Sequence, residues 1–244
     1  MPDSVVKIGQ QVFGDCKKLE SIVMPDSVTE IEENAFNGCR KLTSITLPAS
    51  LTKIGAAAFA GCNKIEEVTI PASVTEIGAK AFATTAWNSR LTKVVLPDGL
   101  TTIGKSAFYS CESLTSIAIP DSVTAIEASA FARTGLTEIV VANSVTEISE
   151  YTYADCKGFV NITIPDTITK IRRDAFRSCE KLKSITLHPS ITEIENDFYS
   201  DHWKEILKTI YIPVGMTDHF KQILPERYHN LIVEKKPKKT TAKK

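Results

Sequence analysis

The chain has 244 residues, enough for one large domain or two small ones with a substantial core, and its 43% hydrophobic and 24% charged residues exclude disorder of the bulk. Basic and acidic residues balance at 29 each, but six lysines fall in residues 235–244, which leaves residues 1–234 with 23 basic against 29 acidic. A mildly acidic body with a basic tail does not read as a nucleic-acid-binding fold, and no run of 18 apolar residues could form a transmembrane helix.

At the N-terminus, Met1-Pro2-Asp3-Ser4 has neither the basic region nor the apolar core of a signal peptide, as would also hold for a segment starting inside a longer protein. From there a repeat sets the organisation. Prolines fall at Pro2, Pro25, Pro48 and Pro71, then at Pro97, Pro120 and Pro165, with aromatics on the same beat from Phe13, Phe36 and Phe59 to Tyr153, Phe176 and Tyr199. Three residues beyond each aromatic comes Cys16, Cys39, Cys62, Thr85, Cys111, Thr134, Cys156, Cys179 or His202, so all six cysteines share one repeat position. A period of 23 residues means a solenoid, because one such unit cannot bury its apolar face alone, whereas stacked neighbours share a continuous core.

Within a coil, residues 42–47 are short, alternating and β-branched and predict a strand that Pro48 ends, since proline cannot donate to a ladder. Its counterparts are 19–24, 65–70, 91–96, 114–119, 136–141, 159–164, 182–187 and 207–212, which predicts a parallel ladder of nine strands. A second extended piece follows in each coil, as at Val28-Thr29-Glu30-Ile31, and Ala35-Phe36 turns the chain back. Three extra residues between Phe82 and Leu91 place Trp87, Asn88 and Ser89 in a bulge at the coil edge, one residue is missing between Phe131 and Leu136, and Ala142 and His188 stand where proline is expected. After residue 212 the pattern changes to a short helix from Thr217, a plausible N-cap, to Leu224, and a last apolar strand at Leu231-Ile232-Val233. The organisation read from this is a solenoid of about nine coils over residues 1–212, a small α/β cap over 213–234 that covers the open end, and a basic flexible tail over 235–244. The first coil has no such cover, so Val5, Ile8, Val12 and Phe13 are expected to face solvent or another molecule.

At this point the sequence resembles the BspA-like, or Treponema pallidum-type, leucine-rich repeat proteins, whose unit is written around I-P-x-S-V-T-x-I-G-x-x-A-F-x-x-C-x-x-L. Pro71-Ala72-Ser73-Val74-Thr75-Glu76-Ile77-Gly78-Ala79-Lys80-Ala81-Phe82 carries the match, and residues 25–36 and 120–131 repeat it. The resemblance implies a leucine-rich repeat fold over about residues 2–212 and no common catalytic residues. It also implies a surface or secreted adhesin or host-protein binder.

The residues give catalysis and metal binding little to work with. The cysteines lack a C-x-x-C pair and sit where threonine also stands, which predicts buried free thiols, and the histidines His188, His202, His219 and His229 share no ligand spacing. The recurring serines Ser27, Ser50, Ser73, Ser122, Ser144 and Ser190 offer no G-x-S-x-G and read as turn formers, and the threonines from Thr29 to Thr192 read as a β-branched column. No catalytic residue, cofactor or metal ligand is assigned.

Recognition is the better reading, and the outward residues of the strands are where it belongs. Glu67, Lys93, Val95, Glu138 and Tyr211 on that face, with Trp87 of the edge bulge, are the candidate partner-binding residues, Tyr211 being the aromatic of the kind that anchors interfaces. The same small, β-branched residues are also good strand formers, so scaffold and binding surface are both open. A strip of turn residues, Lys17, Lys18, Arg40, Lys41, Lys64, Arg90, Lys157 and Lys181, is either a solvated edge or, with the lysine tail, a positive rim for an acidic glycan, wall polymer or protein. The function expected is a noncatalytic protein-binding module, adhesin-like and at the cell surface or secreted by the resemblance. The alternative is an intracellular scaffold or structural spacer, favoured by reduced cysteines.

Overall fold

The computed structural model describes residues 1–84, 88–195, 198–199 and 206–236. The chain is a parallel β-solenoid whose coils stack one repeat apart, so that Lys7 lies opposite Glu30, Ile8 opposite Ile31 and Glu30 opposite Lys53. The apolar side chains of successive coils form one continuous core from Ile8 to Tyr228.

Two strand ladders run along this rod. The second extended piece of each coil makes the longer one, with six rungs from Lys7–Ile8 to Ala125–Ile126 and three more from Glu147–Ile148 to Glu193–Ile194. The Leu-x-x-Ile strands make the other, which is divided into Ser21–Ile22 with Ser44–Ile45, Glu67–Thr69 with Lys93–Val95, and a C-terminal sheet of Asn161–Thr163, Ser184–Thr186, Thr209–Pro213 and Ile232–Lys235.

Residues 114–119 and 136–141, expected as two rungs of a nine-stranded ladder, form no strand. One residue is missing between these two segments, before Leu136. Gly135 there packs so closely on the coil below that a Cβ on it would clash with the Glu112 carbonyl oxygen, and beyond Leu136 the burial pattern departs from that of the other coils. Val140, expected to face outward, is buried, while Ile139 and Val141 are only half-buried. The Val140 carbonyl has no ladder to join and accepts instead from the buried Tyr153 hydroxyl at 2.6 Å.

The turns form a third set of bonds between coils. Asn34, Phe36 and Gly38 donate their amides to Ala56, Ala58 and Ala60 of the next coil at 2.9, 2.7 and 2.7 Å, and the same spacing recurs from Phe13 to Phe176. The turn is possible because, in most coils, two residues four apart take a left-handed conformation, as do Asn34 (φ 57) with Gly38 (φ 76) and Asp174 (φ 57) with Ser178 (φ 54). Inside these turns the aromatic column is a single stack. Neighbouring rings from Phe13 to Tyr153 lie 5.1 to 6.0 Å apart and within 9° of parallel, and Tyr153 continues it to Phe176 at 5.9 Å.

At the proline position the carbonyl closes a turn onto the amide three residues on, as from Val28 to Pro25 at 3.1 Å. Ala142 and His188 close the same turn, accepting from Val145 at 3.1 Å and Ile191 at 3.2 Å, so the position needs the carbonyl and tolerates loss of the ring.

After Pro213 the helix Thr217–Ile223 buries Phe220, and Ile232–Lys235 pairs in parallel with Thr209–Pro213. Thr217 is not the N-cap that its position predicts. Met216 takes that place without a side-chain bond, and the Thr217 hydroxyl donates to Glu234 at 2.7 Å, tying the helix to the last strand. At the N-terminal end Ile8 is buried, contrary to expectation, because its own coil and the Ile31 rung enclose it, whereas Val12 is exposed and Val5 and Phe13 are half-buried.

Candidate binding surface

The strand residues of the first ladder alternate strictly, with Val68, Val94, Ile162 and Ile185 inward and their neighbours outward. Each sheet of this ladder thus presents an outer face of small and charged side chains. Glu67 and Lys93 are direct cross-strand partners on it and form an exposed ion pair at 3.3 Å. Val95 stands two residues along the same strand, 43% exposed, opposite Thr69.

The other candidates do not join that group. Glu138 is exposed but lies in the segment without a strand. Tyr211 is half-buried in the C-terminal sheet, between Thr186 and Val233, with the Lys235 ammonium 4.4 Å from its ring centroid. Trp87 lies outside the described residues, as do Thr85 and His202. Ser89, expected to bulge with Trp87, is buried, and its carbonyl accepts from Ser113 at 2.7 Å; Asn88 is exposed and accepts from Asn63 at 2.9 Å.

Two grooves flank the C-terminal sheet, and the strand pattern gave no sign of either. One, of about 450 Å³, lies at the strand exits between Pro189 and Pro213 and is rimmed by His188, Lys235 and Lys236. The other, of about 430 Å³, lies at the strand entries and is lined by Val160, Lys183, Lys208 and Ile206 with Glu180 and Lys181. The signal that could have found the second is the column just before each strand, which ends in Val160, Lys183 and Lys208.

The columns that could have carried chemistry are engaged with the backbone. Ser27, Ser122 and Ser190 donate their hydroxyls to Val5, Leu100 and Ile168 of the preceding coil at 2.7, 2.6 and 2.9 Å. These serines therefore join coils, beyond shaping the turn that the sequence suggests. The thiols of Cys39, Cys62, Cys111, Cys156 and Cys179 donate to the carbonyl of the preceding coil's aromatic at 3.1 to 3.3 Å. All six cysteines are free; burial pushes the Cys111 and Cys156 thiols up to about 12, and Cys62 is raised by its hydrogen bond with Cys39 and then by burial. His219 and His229 contact the Ile191 and Leu224 carbonyls at 2.8 and 3.0 Å, and His188 contacts Ser190 at 3.2 Å. Among the described residues no three His, Cys, Asp or Glu side chains are placed to hold a metal ion, and no helix is long and apolar enough to cross a membrane.

On the basic edge, Arg90 pairs with Glu66 at 3.5 Å and Lys41 with Glu20 at 3.9 Å, and Lys17, Lys18, Arg40, Lys64, Lys157 and Lys181 are exposed.

The sequence matches the family described as BspA type leucine rich repeat region, in six copies over residues 1–89 and 86–204. A leucine-rich repeat protein from Bacteroides ovatus is 28% identical with a TM-score of 0.62, over 87% of this chain and 67% of that one. A leucine rich cell surface protein from Faecalibacterium prausnitzii is 25% identical with a TM-score of 0.54, over 97% and 78%. The leucine rich repeat protein of T. pallidum is 26% identical with a TM-score of 0.50, over 70% and 73%. No curated protein sequence matches the chain.

Proposed function

The chain belongs to the BspA-type leucine-rich repeat family, and from that premise we propose that it is a noncatalytic module that binds another protein, adhesin-like and working at a cell surface or as a secreted domain. The observation that carries this reading is the outer face of the first ladder, where Glu67, Lys93, Val95 and Tyr211 stand on rigid strands whose opposite faces are locked in the core. Function grafted on a rigid repeat face is the usual use of a solenoid. Tyr211 supplies an aromatic with an adjacent cation, the composition that anchors interfaces. That the Faecalibacterium prausnitzii relative is described as a cell surface protein supports the location. Glu138, exposed in the segment without a strand, is a secondary candidate, as is Trp87 from its place in the sequence.

The test is selection of binders to the full chain from a displayed protein library, followed by affinity measurement on Val95→Asp and Tyr211→Ala. Binders that weaken about tenfold or more on either substitution support the reading. A library that yields none, or only binders indifferent to both substitutions, overturns it. The second reading, an intracellular scaffold or spacer, is favoured by six free cysteines, a usage more at home in reducing compartments.

A further inference from the structure

Charge is graded along the outer face. The position just before each strand holds Glu20 and Glu66 in the early coils and Lys183 and Lys208 in the late ones. Lys183 and Lys208 occupy adjacent coils joined by a backbone bond of 2.8 Å, and both are exposed. Among the described residues neither they nor Lys181 and Lys236 take part in an ion pair. Their groove has Val160 and Ile206 as apolar walls and Glu180 as a carboxylate beside the three lysines.

The strands lead from this groove across an uncharged floor, Asn161, Ser184 and Thr209 and then Thr163 and Thr186, to the proline-walled groove rimmed by Lys235 and Lys236. Tyr211 stands on that floor under Lys235. The face is therefore cationic at both strand ends, apolar in its two grooves and flat between them.

We infer that the C-terminal sheet is the docking surface for an extended acidic segment of a protein partner, with carboxylates at both strand ends and apolar side chains in the two grooves. This rests on reading the ladder face as a protein-binding surface. The five steps from Lys183 to His188 span about 17 Å at roughly 3.3 Å per residue, so about six residues of extended peptide bridge the two cationic rims. Lysines that form no ion pair among the described residues, and that outnumber Glu180 three to one, steer an acidic chain toward the face and reject basic ones. A polyanionic glycan would meet the lysines, but it has no apolar side chains to fill the groove walls, and this favours a peptide.

The experiment is fluorescence anisotropy on the full chain with a labelled peptide of roughly ten residues, two glutamates at each end and alternating leucine and serine between. Expected are saturable binding that weakens with added salt, and at least about tenfold loss both for the glutamine version of the peptide and for Lys183→Glu with Lys208→Glu at an unchanged melting temperature. Tyr211→Ala, equally stable, is expected to lose a similar factor. Binding indifferent to the charge reversal overturns the inference, as does heparin or polyglutamate binding as tightly as the peptide with no effect of Tyr211→Ala. The library selection separates the two readings. Binders without acidic residues that still need Tyr211 overturn the acidic partner alone, whereas the absence of any binder overturns the protein-binding reading as well.

Discussion

The carbonyl of Phe36 accepts the amide of Cys39 at 3.2 Å within its own coil and the thiol of Cys62 at 3.1 Å from the next. This double acceptance gives the cysteine column a physical reason, since a small group that packs as a hydrophobe and donates weakly suits a buried carbonyl. No cysteine or serine follows residue 200 to serve the last coil, and the cap replaces both donors. The Tyr228 hydroxyl donates to the Tyr199 carbonyl at 2.5 Å and His219 contacts the Ile191 carbonyl at 2.8 Å, the two acceptors that another coil would take. Tyr153 answers a comparable need at Val140, so Tyr153→Phe is expected to lower stability by about 1 to 3 kcal/mol, the cost of an unmet buried acceptor, read as a lower urea midpoint with unchanged slope. Thr167 fills the serine position, yet its buried hydroxyl has no hydrogen-bond partner among the described residues. A serine there is free of the β-branch that restricts the rotamer, and Thr167→Ser is expected to gain about 1 kcal/mol by reaching the Val145 carbonyl; an unchanged or lower midpoint would refute that geometry.

Both strand ladders are interrupted around residues 114–146, but the turn ladder and the aromatic stack are not. Ser129, Phe131 and Arg133 still donate to Glu150, Thr152 and Ala154 at 2.9, 3.1 and 2.7 Å across the gap. The amides of residues 115–119 and 137–141 donate no backbone hydrogen bond among the described residues. Hydrogen exchange there is expected to be at least about tenfold faster than at the amides of Phe131 and Tyr153, and equal protection would show that the turns do not carry the joint. The stack also sets the cost of breaking it. Phe108 is fully buried between Phe82 and Phe131 at 5.7 and 5.6 Å, so Phe108→Ala is expected to cost about 3 to 5 kcal/mol. A loss below about 1 kcal/mol in urea unfolding would show that the neighbouring rings collapse into the space.

Along the rod, the outward column of the second ladder alternates in charge from Lys7 to Glu76 and again from Glu147 to Glu193, with the uncharged Thr102 and Ala125 between. Lys7 bridges Glu30 and Glu32 at 3.1 and 2.8 Å, and Arg172 reaches Glu147, Glu193 and Glu195 at 2.6, 3.2 and 2.9 Å. The hydrogen bond from Lys7 holds the Glu32 carboxyl below its ordinary 4.5; the Arg173 amide does the same for Glu195, and the Thr217 hydroxyl for Glu234. Carboxylates lowered on folding contribute stability that is present above pH 4.5 and lost as pH falls through their folded values. The melting temperature is therefore expected to hold from pH 7 down to about pH 5 and to fall below it, with the fall reduced in Glu32→Gln and Glu195→Gln; a flat profile would remove these bridges from the account.

What the sequence by itself determined is periodic. The 23-residue beat of Pro25, Phe36 and Cys39 dictates a solenoid, and the alternation in residues 42–47 dictates which side chains enter its core, because both depend only on spacing along the chain. The alternation also placed Glu67, Lys93 and Val95 outward, and the fold brings them together on one two-stranded sheet. The tertiary structure decided the rest: that Val140 turns inward in a segment without a strand, that serines and thiols bond across coils, and that Lys183 and Lys208 share a groove with Ile206. Those outcomes depend on the phase and rise between neighbouring coils, which a repeat read one unit at a time does not contain.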